Sequence, residues 1–182
     1  MVMMFLLRRF LFLAALLLPL GAVLPLSAAE EEGGQITLSW EDLMPPGEEE
    51  RLMELYEQQM STMPDMSLIP EGSAADKPIQ FGTYNVVEDL NGKNIRIPGF
   101  MVPFELNAGE VTEFLLVPYF GACIHVPPPP PNQIIYVTAK EDVLFTWDAV
   151  WIEGILKTDK HLNDLGNAAY TLELTKVEAY DS

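Results

Sequence analysis

The chain has 182 residues, with 10 Lys and Arg against 27 Asp and Glu, a formal net charge of −17, one cysteine and two histidines. That length suits one domain with a sizeable core, and so acidic a surface repels phosphate backbones, which argues against nucleic acid as a partner. A single cysteine excludes an internal disulfide, leaving it buried and inert, paired with another molecule, or used in metal or redox chemistry.

The first 29 residues have the order of a secretory signal. Arg8 and Arg9 precede an apolar run over residues 10–20, and Ser27, Ala28 and Ala29 supply small residues for cleavage after Ala29. An uncleaved anchor is the rival reading, because residues 10–26 approach the roughly 17–25 residues that cross a bilayer. Gly21, Pro25 and the acidic residues 30–32 favour cleavage. The expected destination is the periplasm, and the expected mature form does not span the membrane. Removing residues 1–29 lowers the basic count from 10 to 8 against an unchanged 27 acids, so the net charge moves from −17 to −19.

Residues 30–78 read as an N-terminal extension. Residues 35–40 form a short extended segment, and Pro45, Pro46 and Gly47 open a helix whose first turn carries Glu48, Glu49 and Glu50, where acids complement the helix dipole. Leu52, Tyr56 and Met60 recur at intervals of four beside Met53 and Leu55, which makes the helix amphipathic. Residues 61–78 break every periodicity and read as a linker.

Residues 79–182 read as a β domain. Asn91-Gly92 between residues 83–90 and 93–104 predicts a hairpin, since both residues tolerate positive φ. Pro98 and Pro103 in the second arm suggest an edge or bulge. Further strands are expected over residues 111–119, 134–139, 149–157 and 168–177. In the last, Tyr170, Leu172, Leu174 and Val177 mark one face, with a turn before it at residues 164–167. The expected fold class is mainly β: a small OB-like antiparallel barrel preceded by one amphipathic helix.

The most chemically loaded stretch is Cys123-Ile124-His125 and the prolines that follow, Pro127, Pro128, Pro129, Pro130 and Pro131. Residues two apart on an extended segment share a side, so Cys123 and His125 face together as half of a transition-metal site for zinc or copper. The remaining ligands would come from His161, Asp142, Asp148 or a partner chain. A small core cysteine beside a hydrogen-bonded histidine explains the same residues without metal. Gly121 permits a sharp exit from the preceding strand. The five prolines should form a polyproline II rod about 15 Å long, whose apolar ridge suits docking against another protein. Met60, Met63 and Met66, spaced Met-x-x-Met-x-x-Met, offer thioethers for Cu(I), against the simpler reading of core filling and chance. No acid–base or nucleophile constellation supports an enzyme.

Gly99-Phe100-Met101-Val102-Pro103, the run from Glu113 through Val126, and Trp151-Ile152-Glu153-Gly154 resemble the DUF3299 family of exported bacterial proteins of unassigned function. The resemblance covers residues 40–180. It implies a periplasmic protein associated with ABC-type transport systems, whose permeases resemble lipoprotein-releasing or macrolide-export types and some of which are linked to zinc acquisition. It carries no catalytic residues. Two functions are therefore expected: a periplasmic accessory protein of such a system with transient zinc or copper binding, or a metal-free module docking on the periplasmic domain of an ABC-type permease or other envelope protein.

Overall fold

The computed structural model describes residues 31–32, 34–62, 80–122 and 128–181. The expected signal segment, most of the linker including Met63 and Met66, and residues 123–127 with Cys123, His125 and Pro127 lie outside them.

The described chain holds one helix, α1 (Glu48–Thr62), and seven strands: β1 (Glu31–Glu32), β2 (Gln35–Thr37), β3 (Asn94–Pro103), β4 (Glu110–Val117), β5 (Ile135–Leu144), β6 (Val150–Lys157) and β7 (Tyr170–Ala179). The last five close into a ring in the order β3-β4-β5-β7-β6, with β6 pairing back onto β3. All seams of that ring are antiparallel except β5–β7, which is parallel. The expected small barrel preceded by a helix is what the chain forms, with that parallel seam as its departure from a purely antiparallel sheet. Strand β2 adds alongside the start of β3 in parallel.

Alternation builds the interior. Ile95, Ile97 and Met101 from β3, Phe114 and Leu116 from β4, Ile135 and Val137 from β5, Ile152 and Leu156 from β6, and Tyr170 and Leu172 from β7 join one buried cluster. A second layer, with Val102, Leu115, Val117, Ala122, Ile134 and Ala168 buried together, is bordered by half-buried Phe100, Phe104 and Tyr136. At a bulge between Glu153 and Gly154 the strands β6 and β7 come close. A Cβ on Gly154 would sit 2.3 Å from the Glu173 carbonyl oxygen, so only glycine fits.

Two sequence expectations are corrected. Residues 83–90 form no strand, so Asn91-Gly92 does not turn a hairpin. Residues 88–90 are instead a 3-10 turn, Asn91 has φ −61° and ψ 125°, Gly92 has φ +76°, and Lys93 N–H donates to Leu90 O at 3.1 Å. This is type II geometry, which asks for positive φ only at the glycine. The edge suggested by Pro98 is local: β3 pairs with β6 over its first half and with β4 over its second. The Pro98 carbonyl accepts the Trp40 indole N–H at 2.7 Å, on the side away from β6. The proline therefore removes no donor from the β3–β6 ladder.

Candidate functional site

Helix α1 is fastened at its first residue. Glu48 is 3% exposed, and its carboxylate accepts hydrogen bonds from the Thr83 hydroxyl, from Asn85 Nδ2 at 2.8 Å and from Asn132 Nδ2 at 3.4 Å. A buried carboxylate is tolerable because donors surround it. Through it, the helix start, residues 80–87 and the turn after the prolines become one unit. Asn132 is fully buried and also donates to the Asn85 carbonyl at 3.2 Å.

The same segment holds the prolines. Gln80 Nε2 donates to the carbonyls of Pro129 at 2.9 Å and Asn167 at 2.8 Å, and its Oε1 accepts the Asn167 N–H at 2.8 Å. Gly82 passes so close under Pro130 that an added Cβ would meet the proline Cβ at 2.6 Å, and its φ of +130° is itself a glycine conformation. Tyr170 fastens the segment's far end: its hydroxyl accepts from Val87 N–H at 2.7 Å and donates to Leu43 O at 2.8 Å. Burial pushes that phenol up to about 12.

Between helix and prolines lies an open apolar groove of about 480 Å³, lined by Leu52, Tyr56, Phe81, Tyr119, Pro128, Pro129 and Pro130. Tyr56 meets Phe81 edge to face, centroids 6.0 Å apart. Leu52 turns inward, while Met53, Leu55, Tyr56 and Met60 keep 38–58% of their surface exposed. The helix is amphipathic as expected, yet most of its apolar stripe is uncovered.

The prolines differ from the rod read in the sequence. Pro130 has polyproline-like angles, φ −51° and ψ 148°, but Pro131 begins a 3-10 turn over Pro131–Gln133. A proline suits that first position because its missing N–H is not needed there. Pro131 is buried, and its carbonyl accepts the Ala169 N–H at 2.7 Å. Pro128, Pro129 and Pro130 thus form one wall of a groove rather than a free ridge. Gly121, with φ +80°, makes the sharp exit expected after β4.

Cys123 and His125 lie outside the described residues, and among the described residues no three His, Cys, Asp or Glu side chains gather as a metal site. Asp142 and Asp148 are exposed. His161, a candidate further ligand, is half-buried and stacks on Tyr136, centroids 3.6 Å apart and planes within 4°. Phe104 approaches both rings edge to face. The Tyr136 phenol is held above its ordinary value, first by burial and then by the Glu113 carboxylate beside it. The backbone of His161 is bridged to Ala168 in both directions, at 2.9 and 2.8 Å, so its loop is well braced.

Sequence reasoning missed Glu48 and the groove. A Glu triplet at a helix start reads as dipole compensation, and Tyr56, Phe81 and Tyr119 sit in three separated segments. The polar residues Thr83, Asn85 and Asn132 near an apolar strand region were the available signal for a buried acid.

Fold and site together define a small OB-like barrel carrying an apolar groove on one flank. Within that class, the family described as "Protein of unknown function (DUF3299)" matches residues 40–179, and the chain belongs to it. The crystal structure of a DUF3299 family protein from Pseudomonas aeruginosa PAO1 is similar, with 34% sequence identity and a TM-score of 0.62 over 82% of this chain and 99% of that one. No curated protein matches the chain.

Proposed function

We propose that this chain is a non-catalytic periplasmic docking module that binds the periplasmic domain of an ABC-type permease through the groove between α1 and Pro128–Pro130. The observation that carries it is the open apolar groove lined by Leu52, Tyr56, Phe81, Tyr119 and the three prolines, in which Tyr56 and Tyr119 stay 52% and 44% exposed, set on a braced frame. Open aromatic and proline surface of this kind suits a partner's apolar anchors, and rigid framing lowers the ordering cost of binding. The choice of a transport partner, and of the periplasm, comes from the family resemblance and the signal-like N-terminus. Among the described residues no helix is long and apolar enough to cross a membrane.

The test is capture of the purified periplasmic domain of the cognate permease by wild type and by a Tyr56→Ala, Phe81→Ala variant. Loss of capture in the variant, with an unchanged circular dichroism spectrum, is expected. Equal capture would overturn the proposal.

Transient zinc or copper binding by Cys123 and His125 is a separate proposal, resting on their residue types and spacing just before the proline wall in sequence. Metal titration of wild type against a Cys123→Ala, His125→Ala variant decides it. Equal, negligible affinity in both would remove it without touching the groove.

A further inference from the structure

We infer that the segment seated in the groove is a basic amphipathic helix of the partner, an inference that rests on the docking reading above. Three observations point there. The first is shape and chemistry: one helix face and a proline wall flank an open apolar trough of about 480 Å³. A helix fills such a trough by presenting side chains at i, i+3 or i+4 and i+7 from one face.

The second observation is the lip. Met53 lies three residues before Tyr56 and Met60 four after it, so both share its side of the helix, and they are 58% and 51% exposed. Exposed thioethers on flexible stems adapt to varied apolar faces, which is what a surface receiving another helix needs.

Charge is the third. α1 carries Glu48, Glu49, Glu50, Glu54 and Glu57 against Arg51 alone, inside a chain of net charge −17. Glu48 is consumed by its buried donors. Glu49 continues the Met53–Tyr56–Met60 side at its N-terminal end, while Glu57 stands four residues from Met53 and three from Met60, on the flank of the same stripe; both acids are exposed. An apolar trough with an acidic lip along α1 matches a helix whose apolar face is edged by Lys and Arg. An acidic partner would meet like charge along that border.

The test uses a fluorescently labelled amphipathic peptide of roughly 18 residues, five helical turns, built from Leu and Lys, and a twin with Glu in place of Lys. Anisotropy titrations with the protein should show the Lys peptide binding at least about tenfold more tightly than its twin. That gap should narrow as salt rises from about 0.05 to about 0.5 M, because screening shortens with ionic strength. Glu49→Gln with Glu57→Gln should shrink the preference several-fold, roughly the scale of border charges, while leaving binding measurable. Tyr56→Ala with Phe81→Ala should weaken the Lys peptide about tenfold or more. Circular dichroism should report helix gained by the peptide on binding.

Equal affinity for the two peptides, or a preference unmoved by the Glu49 and Glu57 changes, overturns the basic partner and leaves the docking reading standing. Binding without gained helicity overturns the helix in the same way. Lys-peptide binding that is indifferent to Tyr56→Ala and Phe81→Ala overturns both, since it would report diffuse attraction to an acidic protein. Absence of any binding overturns this inference, and capture of the permease domain then judges the docking reading alone.

Discussion

The barrel interior and the helix–proline groove are built from the same kinds of side chain and put them to opposite use. In the barrel, strands close on themselves, so every inward residue meets a partner across the ring; Phe114, Ile152 and Tyr170 have no exposed surface. Helix α1 meets a wall on one side only, and Tyr56 and Met60 remain half exposed. Closure turns apolar surface into stability, whereas the unclosed trough leaves it available to a partner. Substitutions should therefore separate the regions: large losses of stability without specific loss of binding in one, and the reverse in the other.

Phe114→Ala, deep in the ring, should cost about 3–5 kcal/mol in a denaturant melt, the usual loss for emptying a buried aromatic site. A loss under about 1 kcal/mol would mean the interior is less tightly packed than the strand registers imply. Glu48→Ala sits at the join. It leaves the Thr83, Asn85 and Asn132 donors without their acceptor and should cost about 1–3 kcal/mol while also weakening partner binding through a loosened helix. Glu48→Gln, which keeps an acceptor, should recover part of both. If Glu48→Ala lowered stability but left binding intact, the helix start would not be what frames the groove.

Tyr170 provides a pH test of the barrel side. Its folded pKa is raised from an ordinary 10.0 to about 12, because burial disfavours the phenolate. The neutral phenol therefore contributes stability that is complete below pH 10.0 and is lost as pH rises through about 12. Melts of wild type should fall across that window, and Tyr170→Phe, though less stable at neutral pH, should fall less steeply. Parallel curves would contradict the assignment.

Gly82→Ala should cost about 1–3 kcal/mol, since it forces both a strained φ and a clash with Pro130. The displaced proline wall should be read in weaker partner capture. Smallest of all in stability is Tyr56→Ala, within about 0.5 kcal/mol of wild type, as for exposed positions generally. Its effect should fall on binding.

What the sequence disclosed follows the same division. Strand alternation, such as Tyr170, Leu172 and Leu174 on one face, is a local signal with a single physical meaning, so the barrel was legible from residues 94 onward. Asn91-Gly92 was ambiguous because type I′ and type II turns both welcome a glycine there, and only the tertiary path of residues 80–87 chooses between them. The proline run was read as a rod because polyproline II is what prolines do alone. Pro131 leaves it because Asn132 is drawn inside to Glu48 and Asn85. The groove was illegible for a deeper reason: Leu52, Phe81, Tyr119 and Pro129 have no sequence relation, and their meeting depends on polar fastenings at Glu48 and Gln80. Cys123 and His125, the strongest chemical signal, stand outside the described residues, and metal titration remains their direct test.

A second exposed aromatic row marks where a rival interface would lie. Phe120 meets Phe100 at 6.0 Å and Trp147 at 6.3 Å, and Trp147 meets Phe145 at 4.7 Å, with Phe120 and Trp147 about as exposed as Met53. Amide hydrogen exchange of the protein, with and without the permease's periplasmic domain, distinguishes the two surfaces directly. If the groove is the docking site, exchange should slow across residues 48–60 and 80–85 while the barrel strands stay unchanged. Protection confined to the Phe100–Phe120–Trp147 row, or none anywhere, would contradict it.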